Sequence, residues 1–311
     1  MGRGRVARTT WGRVLLALAL AALLAAGCAE QSGPWRDGAA GLRVVATTTQ
    51  VADLVAHVGG DRVDLVTLLK PGIDAHDYEP SPADLDAIAR ADLVIENGVG
   101  LEEWLGDTIE SSGFDGPVVD ASQGVRLRVV GGEPDPHIWQ DPRNAMVMAA
   151  NIERGLAGAE PAATAQFEAN LAAYTKQLKT LDAETERQIG SLASRKVVTN
   201  HDAFGYYLDR YHLELVGSVI PSFDSSAELS GRDIRDLVAK IRATGAEAIF
   251  SETSLPPRTA ETIGREAGVK VVVGEDALYG DALGPPGSDG DTYLKMIRHN
   301  TRTIVSNLSG S

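Results

Sequence analysis

Three histidines and one aspartate stand where an α/β protein presents its ligands. His76 follows the second β-branched run, His137 ends a Pro- and Gly-containing connection, His201 directly follows the run Val197 to Asn200, and Asp281 follows the last run. In open parallel sheets ligands bind outside the carboxyl ends of the strands, so polar residues just past a strand are the first candidates for chemistry. Three of the six histidines in such positions, two in one half and one in the other, suggest a ligand cluster in a cleft between two lobes. Spacing this wide is no metal motif in itself, so only the folded chain could gather the four. Three histidines with an open position could also activate water, as in zinc hydrolases. Against that, the sequence has no His-Glu-x-x-His helix, and a fourth protein donor would close the site. The other histidines read as ordinary: His57 near a helix end before Gly59, His212 in a turn after Tyr211, and His299 on a terminal helix between Arg298 and Asn300.

The elements that must position these residues follow from pattern. Pro161 to Ser191 reads as one long amphipathic helix, with Phe167, Leu171, Tyr174, Leu178, Leu181 and Ile189 on one stripe and Lys176, Lys179, Glu184, Glu186 and Arg187 left wet. At 1.5 Å per residue it would reach roughly 40 Å, longer than one small domain needs, so it serves as a strut between two lobes. Before it, runs at Leu42 to Thr47, Arg62 to Leu69, Asp92 to Glu96 and Val118 to Ala121 read as strands. Helices fall between them, including one started by Ser81, Pro82 and Asp84 as N-cap, first-turn proline and capping-box acid, and one spanning Leu101 to Ile109. Beyond the strut, strands at Lys196 to Thr199, Glu214 to Val219, Ala248 to Ser251 and Val269 to Val273 alternate with helices, and an amphipathic helix through Leu294, Ile297, Ile304 and Leu308 closes the chain. Strands alternating with helices imply parallel sheets, so the expected fold is α/β with two lobes, each a parallel sheet flanked by helices, joined by one long rigid helix. The expected boundaries are residues 42–160, 161–192 and 193–311. Residues 122 to 136 read as a weakly patterned connection.

The chain opens with Arg3, Arg5, Arg8 and Arg13, then an uncharged run from Val14 to Ala26 that is too short to span a membrane and fits a secretory signal over residues 1–27. The only cysteine, Cys28, ends the stretch Leu24, Ala25, Ala26, Gly27, Cys28, which resembles the lipobox of bacterial lipoproteins. That resemblance implies cleavage before Cys28, lipid on its sulfur, and a chain held at a membrane surface. Residues 28–41 then read as a tether. Losing the four arginines takes the formal net charge from -14 to -18, and so acidic a body argues against nucleic acid. With one cysteine there is no disulfide, and stability rests on the two cores.

Four segments together resemble the zinc and manganese solute-binding proteins of ABC transporters, the cluster A-I family. They are Gly72 to Pro82 with His76; Pro136, His137, Ile138, Trp139 with Asp141 and Pro142; Asn200 to Tyr206 with His201; and Leu278 to Leu283 with Asp281. The resemblance spans the mature chain and implies a monomeric, two-lobed binder of a bare divalent cation that delivers its cargo to a membrane permease and is not an enzyme. Its ligands would be His76, His137, His201 and Asp281, with Asp74, Asp135, Asp202 and Glu228 as candidates for orienting the imidazoles. Ala75 departs from the proline usual before the first ligand, and Glu228 to Ser230 reads Glu-Leu-Ser where Glu-Pro-Ser is common. Residues 122 to 136 lack the histidine-rich loop of many zinc members. The third ligand is often a carboxylate in manganese members, and here it is His201, so Zn2+ is the expected cargo and Mn2+ the alternative. A binder of siderophore-like chelates would want a wide site lined with aromatics and arginines, which these loops do not supply.

Overall fold

The computed structural model describes Trp35 and residues 41–227 and 229–309. The expected signal segment, Cys28 and Glu228 lie outside the described residues, as does most of the expected tether. Trp35, placed in that tether by its neighbours in sequence, is buried against Val45, Leu68, Ala87, Ile88 and Val94. Its large apolar ring outweighs the Gly- and Ala-rich context. Among the described residues no helix is long and apolar enough to cross a membrane.

The β-branched runs of the first half become β1 (Leu42–Ala46), β2 (Val63–Thr67), β3 (Leu93–Glu96) and β4 (Val118–Asp120). They pair in parallel in the order β2-β1-β3-β4. A two-residue hairpin, β5 (Val129–Val130) and β6 (Glu133–Pro134), turns through Gly131 and Gly132, both at positive φ (65° and 97°). It lies inside the connection read as weakly patterned, where Gly-Gly between a valine pair and Glu133 was the available hairpin signal. In the second half β7 (Lys196–His201), β8 (Glu214–Ile220), β9 (Ala248–Phe250) and β10 (Lys270–Val272) pair in parallel in the order β10-β9-β7-β8. Counted within each half, both sheets have the same strand order, with the first strand lying between the second and third. Two sheets therefore share one topology, although the halves show no residue-level repeat. In each, the strand order reverses beside the first strand, the switch point at which open α/β sheets form a crevice.

The helices are α1 (Thr49–Gly59), α2 (Pro82–Ala89), α3 (Leu105–Ser112), α4 (Pro142–Ala159), α5 (Thr164–Gly190), α6 (Gly205–Tyr211), α7 (Gly231–Thr244), α8 (Arg258–Ala267) and α9 (Tyr293–Leu308). The capping box of Ser81 and Asp84 forms as expected and is repeated at α7 by Ser230 and Asp233. Helix α3 starts four residues later than its apolar pattern suggests. Leu101 to Trp104 stays a turn because the Glu102 carboxylate is engaged by the Thr47 hydroxyl (2.6 Å) and by the backbone N–H groups of Asn97 (2.7 Å) and Gly98 (3.2 Å).

Helix α5 is the long helix, entered through a 3-10 turn at Pro161–Ala163. It buries Phe167, Tyr174, Leu178, Leu181 and Ile189, each contributing about 1.5–3 kcal/mol by removal from water. It packs on α1 and α4 from the first half and on α6 and α9 from the second, so it links the two lobes. Its one buried carboxylate, Asp182, accepts from Arg210 (2.8 Å), Arg143 (3.2 Å) and the Tyr211 hydroxyl (3.1 Å). These partners hold Asp182 charged despite its burial.

Candidate metal centre

His76 sits on the loop between β2 and α2, where proline and glycine prevent regular structure. Its neighbour Ala75 is fully buried, and the Ala75 carbonyl accepts from Trp104 Nε1 at 3.3 Å. Tyr78, stacked edge-on against Trp104, donates to Asp84 Oδ2 at 2.8 Å and so ties the loop to the start of α2. The His76 backbone N–H donates to Asp74 Oδ1 at 2.9 Å, and the other Asp74 oxygen accepts from the Ser225 hydroxyl. Asp74 therefore holds the loop rather than the ring.

His137 precedes a 3-10 turn, Ile138–Gln140, and is fully buried. Asp135 Oδ1 accepts from both its backbone N–H (3.0 Å) and its Nδ1 (2.7 Å), which fixes the tautomer and aims Nε2 outward. His201 is the last residue of β7 rather than the first residue after it. Glu252 repeats the same device one strand away: its Oε1 accepts from the His201 backbone N–H (3.0 Å) and from Nδ1 (2.8 Å). Sequence reasoning passed over Glu252, although it directly follows the run Ala248 to Ser251 and so met the same strand-end criterion as the histidines.

Asp281 lies on a loop that carries no side-chain support for its carboxylate. The loop is instead fastened through its backbone. Gln50 Nε2 (3.3 Å), Trp139 Nε1 (3.1 Å) and Gln140 Nε2 (3.3 Å) all donate to the Gly280 carbonyl, and Asn300 bonds both backbone groups of Tyr279. A Cβ at Gly280 would lie 2.1 Å from Glu252 Oε2, so only glycine allows this close approach.

The four residues converge. One ligand atom from each of His76, His137, His201 and Asp281 lies within 4.8 Å of the others. His76 Nε2 is 3.2 Å from His137 Nε2, His137 Nε2 is 3.5 Å from Asp281 Oδ1, and His201 Nε2 is 3.3 Å from Asp281 Oδ2. A tetrahedron with metal–ligand bonds of about 2.0 Å has edges of about 3.3 Å, so these separations fit four donors around one ion. Asp281's two oxygens and His201 Nε2 are buried and make no hydrogen bond, an arrangement that is costly unless a cation completes it.

Electrostatics divides the four candidate donors. Burial opposes charge on His201, but Glu252 and Asp281 on either side raise its imidazole well above the ordinary value. Burial would raise Asp281, but the three histidines, His201 foremost, hold it well below the carboxylate range. Burial lowers His76, and Asp281 offsets only part of that. At this cluster the negative charge on Asp281 favours a cation, and a proton on His201 would oppose one.

The remaining candidates fall elsewhere. His57 stacks on Tyr174 with centroids 4.1 Å apart, and His212 caps α6 in the left-handed region. His299 is buried, with Nε2 on the Ala277 carbonyl at 2.9 Å. Asp202 touches no imidazole nitrogen; its Oδ1 faces Arg128 Nη1 at 3.9 Å.

Residues 44–307 match the ZnuA family, described as zinc-uptake complex component A, periplasmic. The chain belongs to this family. The zinc-binding protein TroA of Treponema pallidum is 34% identical over 276 residues, covering 86% of this chain and 88% of TroA. The manganese-binding lipoprotein MntA of Halalkalibacterium halodurans is 32% identical over 293 residues, covering 93% and 95%. Among solved structures, the periplasmic zinc-binding protein TroA superposes with a TM-score of 0.80 at 31% identity, covering 86% of this chain and 99% of TroA. An Mn-bound mutant of a periplasmic metal binding protein from Candidatus Liberibacter asiaticus gives 0.77 at 25% identity, covering 85% and 98%. The two-lobed α/β fold is that of ZnuA-family substrate-binding proteins, which are not enzymes.

Proposed function

We propose that this protein captures one divalent metal ion, zinc, through His76, His137, His201 and Asp281 and delivers it to the permease of an ABC importer. The observation that carries this reading is the convergence of four donor atoms, three of them on fully buried residues, at the carboxyl ends of two parallel sheets. Three nitrogens and one oxygen suit zinc better than manganese, which favours oxygen donors. Hydrolysis is disfavoured by the fourth donor, and an organic chelate by the small, closed geometry. The zinc-binding TroA and manganese-binding MntA are similarly related to this chain, so manganese is the second reading. Lipid on Cys28 would keep the protein at the outer face of the cell membrane, in line with relatives named lipoproteins. Mass spectrometry of the mature chain should find Cys28 acylated at its N-terminus, and cleavage elsewhere would remove the anchor.

Metal analysis of protein purified without added metal, followed by competition titration, should give one tightly held zinc per chain. Zinc outcompetes manganese at nearly any such site, so affinity alone does not identify the cargo. A deletion strain grown under chelation does: rescue by manganese but not by zinc would overturn the zinc assignment and leave the site intact.

A further inference from the structure

Behind His137, away from the four donors, one guanidinium meets carboxylates from both halves of the chain. Arg128 Nη1 lies 3.1 Å from Asp135 Oδ2, the oxygen that His137 does not use, and 3.9 Å from Asp202 Oδ1, while its Nε lies 3.2 Å from Asp209 Oδ2. The hairpin β5–β6 creates this placement. Arg128 and Asp135 flank its two strands, and the Asp135 N–H donates to the Arg128 carbonyl at 2.9 Å. Tyr206, on α6 of the second half, locks the pair: its hydroxyl accepts from the Arg128 N–H (2.9 Å) and donates to the Asp135 carbonyl (2.9 Å). A side chain at Gly205 would collide with the guanidinium, its Cβ falling 2.3 Å from Nη1, so α6 opens with a glycine where Arg128 lies across it.

We propose that Arg128 is a positioning residue for the metal centre. It holds the Asp135 carboxylate in the orientation that aims His137 Nε2 at the ion, and it ties that carboxylate to the half of the molecule carrying His201. The inference rests on the metal-binding reading above. A planar fork suits the task, because it can engage Asp135 and Asp209 through different nitrogens at fixed angles, whereas an ammonium supplies only a point charge.

Charge and position predict opposite results. A cation behind the site repels the incoming ion, so an arginine acting through its charge alone would, once removed, leave zinc bound more tightly. A positioning arginine, once removed, leaves zinc bound more weakly, by about 10–100-fold, the usual effect of losing an outer partner of a ligating histidine.

The test compares wild type, Arg128→Ala, Arg128→Lys and the exposed neighbour Arg126→Ala, which controls for net charge. Zinc affinity by competition is measured alongside the visible ligand-field spectrum of the cobalt(II)-loaded proteins and the melting of the metal-free forms. Expected are weaker zinc binding and an altered cobalt spectrum in Arg128→Ala, partial recovery in Arg128→Lys, and no change in Arg126→Ala. Equal or tighter binding in Arg128→Ala with a wild-type spectrum would overturn the proposal, as would a loss of affinity matched by Arg126→Ala. If Arg128→Ala does not fold, the spectrum and affinity of Arg128→Lys decide, since loss of the fork alone should still perturb both. Failure of wild type itself to bind zinc or cobalt would instead remove the metal-binding reading.

Discussion

The two deeply buried histidines and the loop histidine reach the same point by different means. His137 and His201 are fully buried, and each has its Nδ1 and its backbone N–H on a single carboxylate oxygen, from Asp135 and Glu252 respectively. His76 is only partly buried, and Asp74 holds its backbone alone. The buried pair is part of the fold's own polar network, so its substitution strands a carboxylate. The loop ligand can change with little consequence for the rest of the protein. Metal binding and stability should therefore be coupled at His137 and His201 and separable at His76.

The largest expected effect is on zinc affinity. His201→Ala and Asp281→Ala each remove one of four donors and should weaken binding by more than the roughly 100-fold upper range of an outer-partner change. Competition titration measures this, and near-wild-type affinity in either would remove that residue from the site. The same His201→Ala protein should melt lower without metal, because buried Glu252 loses the Nδ1 donor and keeps only the backbone N–H of residue 201, at a cost of about 1–3 kcal/mol. His76→Ala should lose affinity with a metal-free melting temperature close to wild type. Equal destabilisation by the two histidine changes would break the contrast between buried and loop ligands.

Glu252→Gln should reduce affinity by about 10–100-fold, since the amide still accepts from Nδ1 but no longer strengthens the imidazole as a donor. Asp135→Asn should do the same through His137, and an effect on one side only would show that the two buried histidines are not equivalent.

Acid should weaken metal binding progressively, because His201, held above its ordinary value by Glu252 and Asp281, competes for protons where His76 does not. Proton release measured calorimetrically in buffers of different ionisation enthalpy should shrink in His201→Ala and persist in His76→Ala.

The smallest effect lies away from the ligands. Burial pushes Glu102 up to about 7 despite three donors on its carboxylate. A group whose folded value exceeds its unfolded one keeps its proton longer in the folded state, so the contribution of Glu102 to stability should decline as pH rises from about 4.5 to 7 and then level. In Glu102→Gln this part of the pH profile should flatten, as read from denaturant midpoints.

Sequence alone determined most of the elements and the candidate donors' place near strand ends. β-branched runs, caps such as Ser81 with Asp84, and the stripe of α5 are local properties, set by neighbours within a few residues, so their physics is written in order along the chain. The convergence of the four proposed donors, His76, His137, His201 and Asp281, was legible because strand termini of a parallel sheet all point to one edge, and family resemblance supplied their grouping. The supporting network was less legible. Asp135 could be guessed from its position two residues before His137, but Glu252 acts on His201 across 51 residues, and its strand-end signal looked like any loop acid. The backbone clamp on Gly280 draws donors from Gln50, Trp139 and Gln140, at separations up to 230 residues. Such contacts depend on how two sheets of the same strand order face each other, and that is set by the packing of α5 against helices from both halves. Orientation at the ångström scale, which makes three imidazoles and a carboxylate into one site, exists only once those surfaces have met.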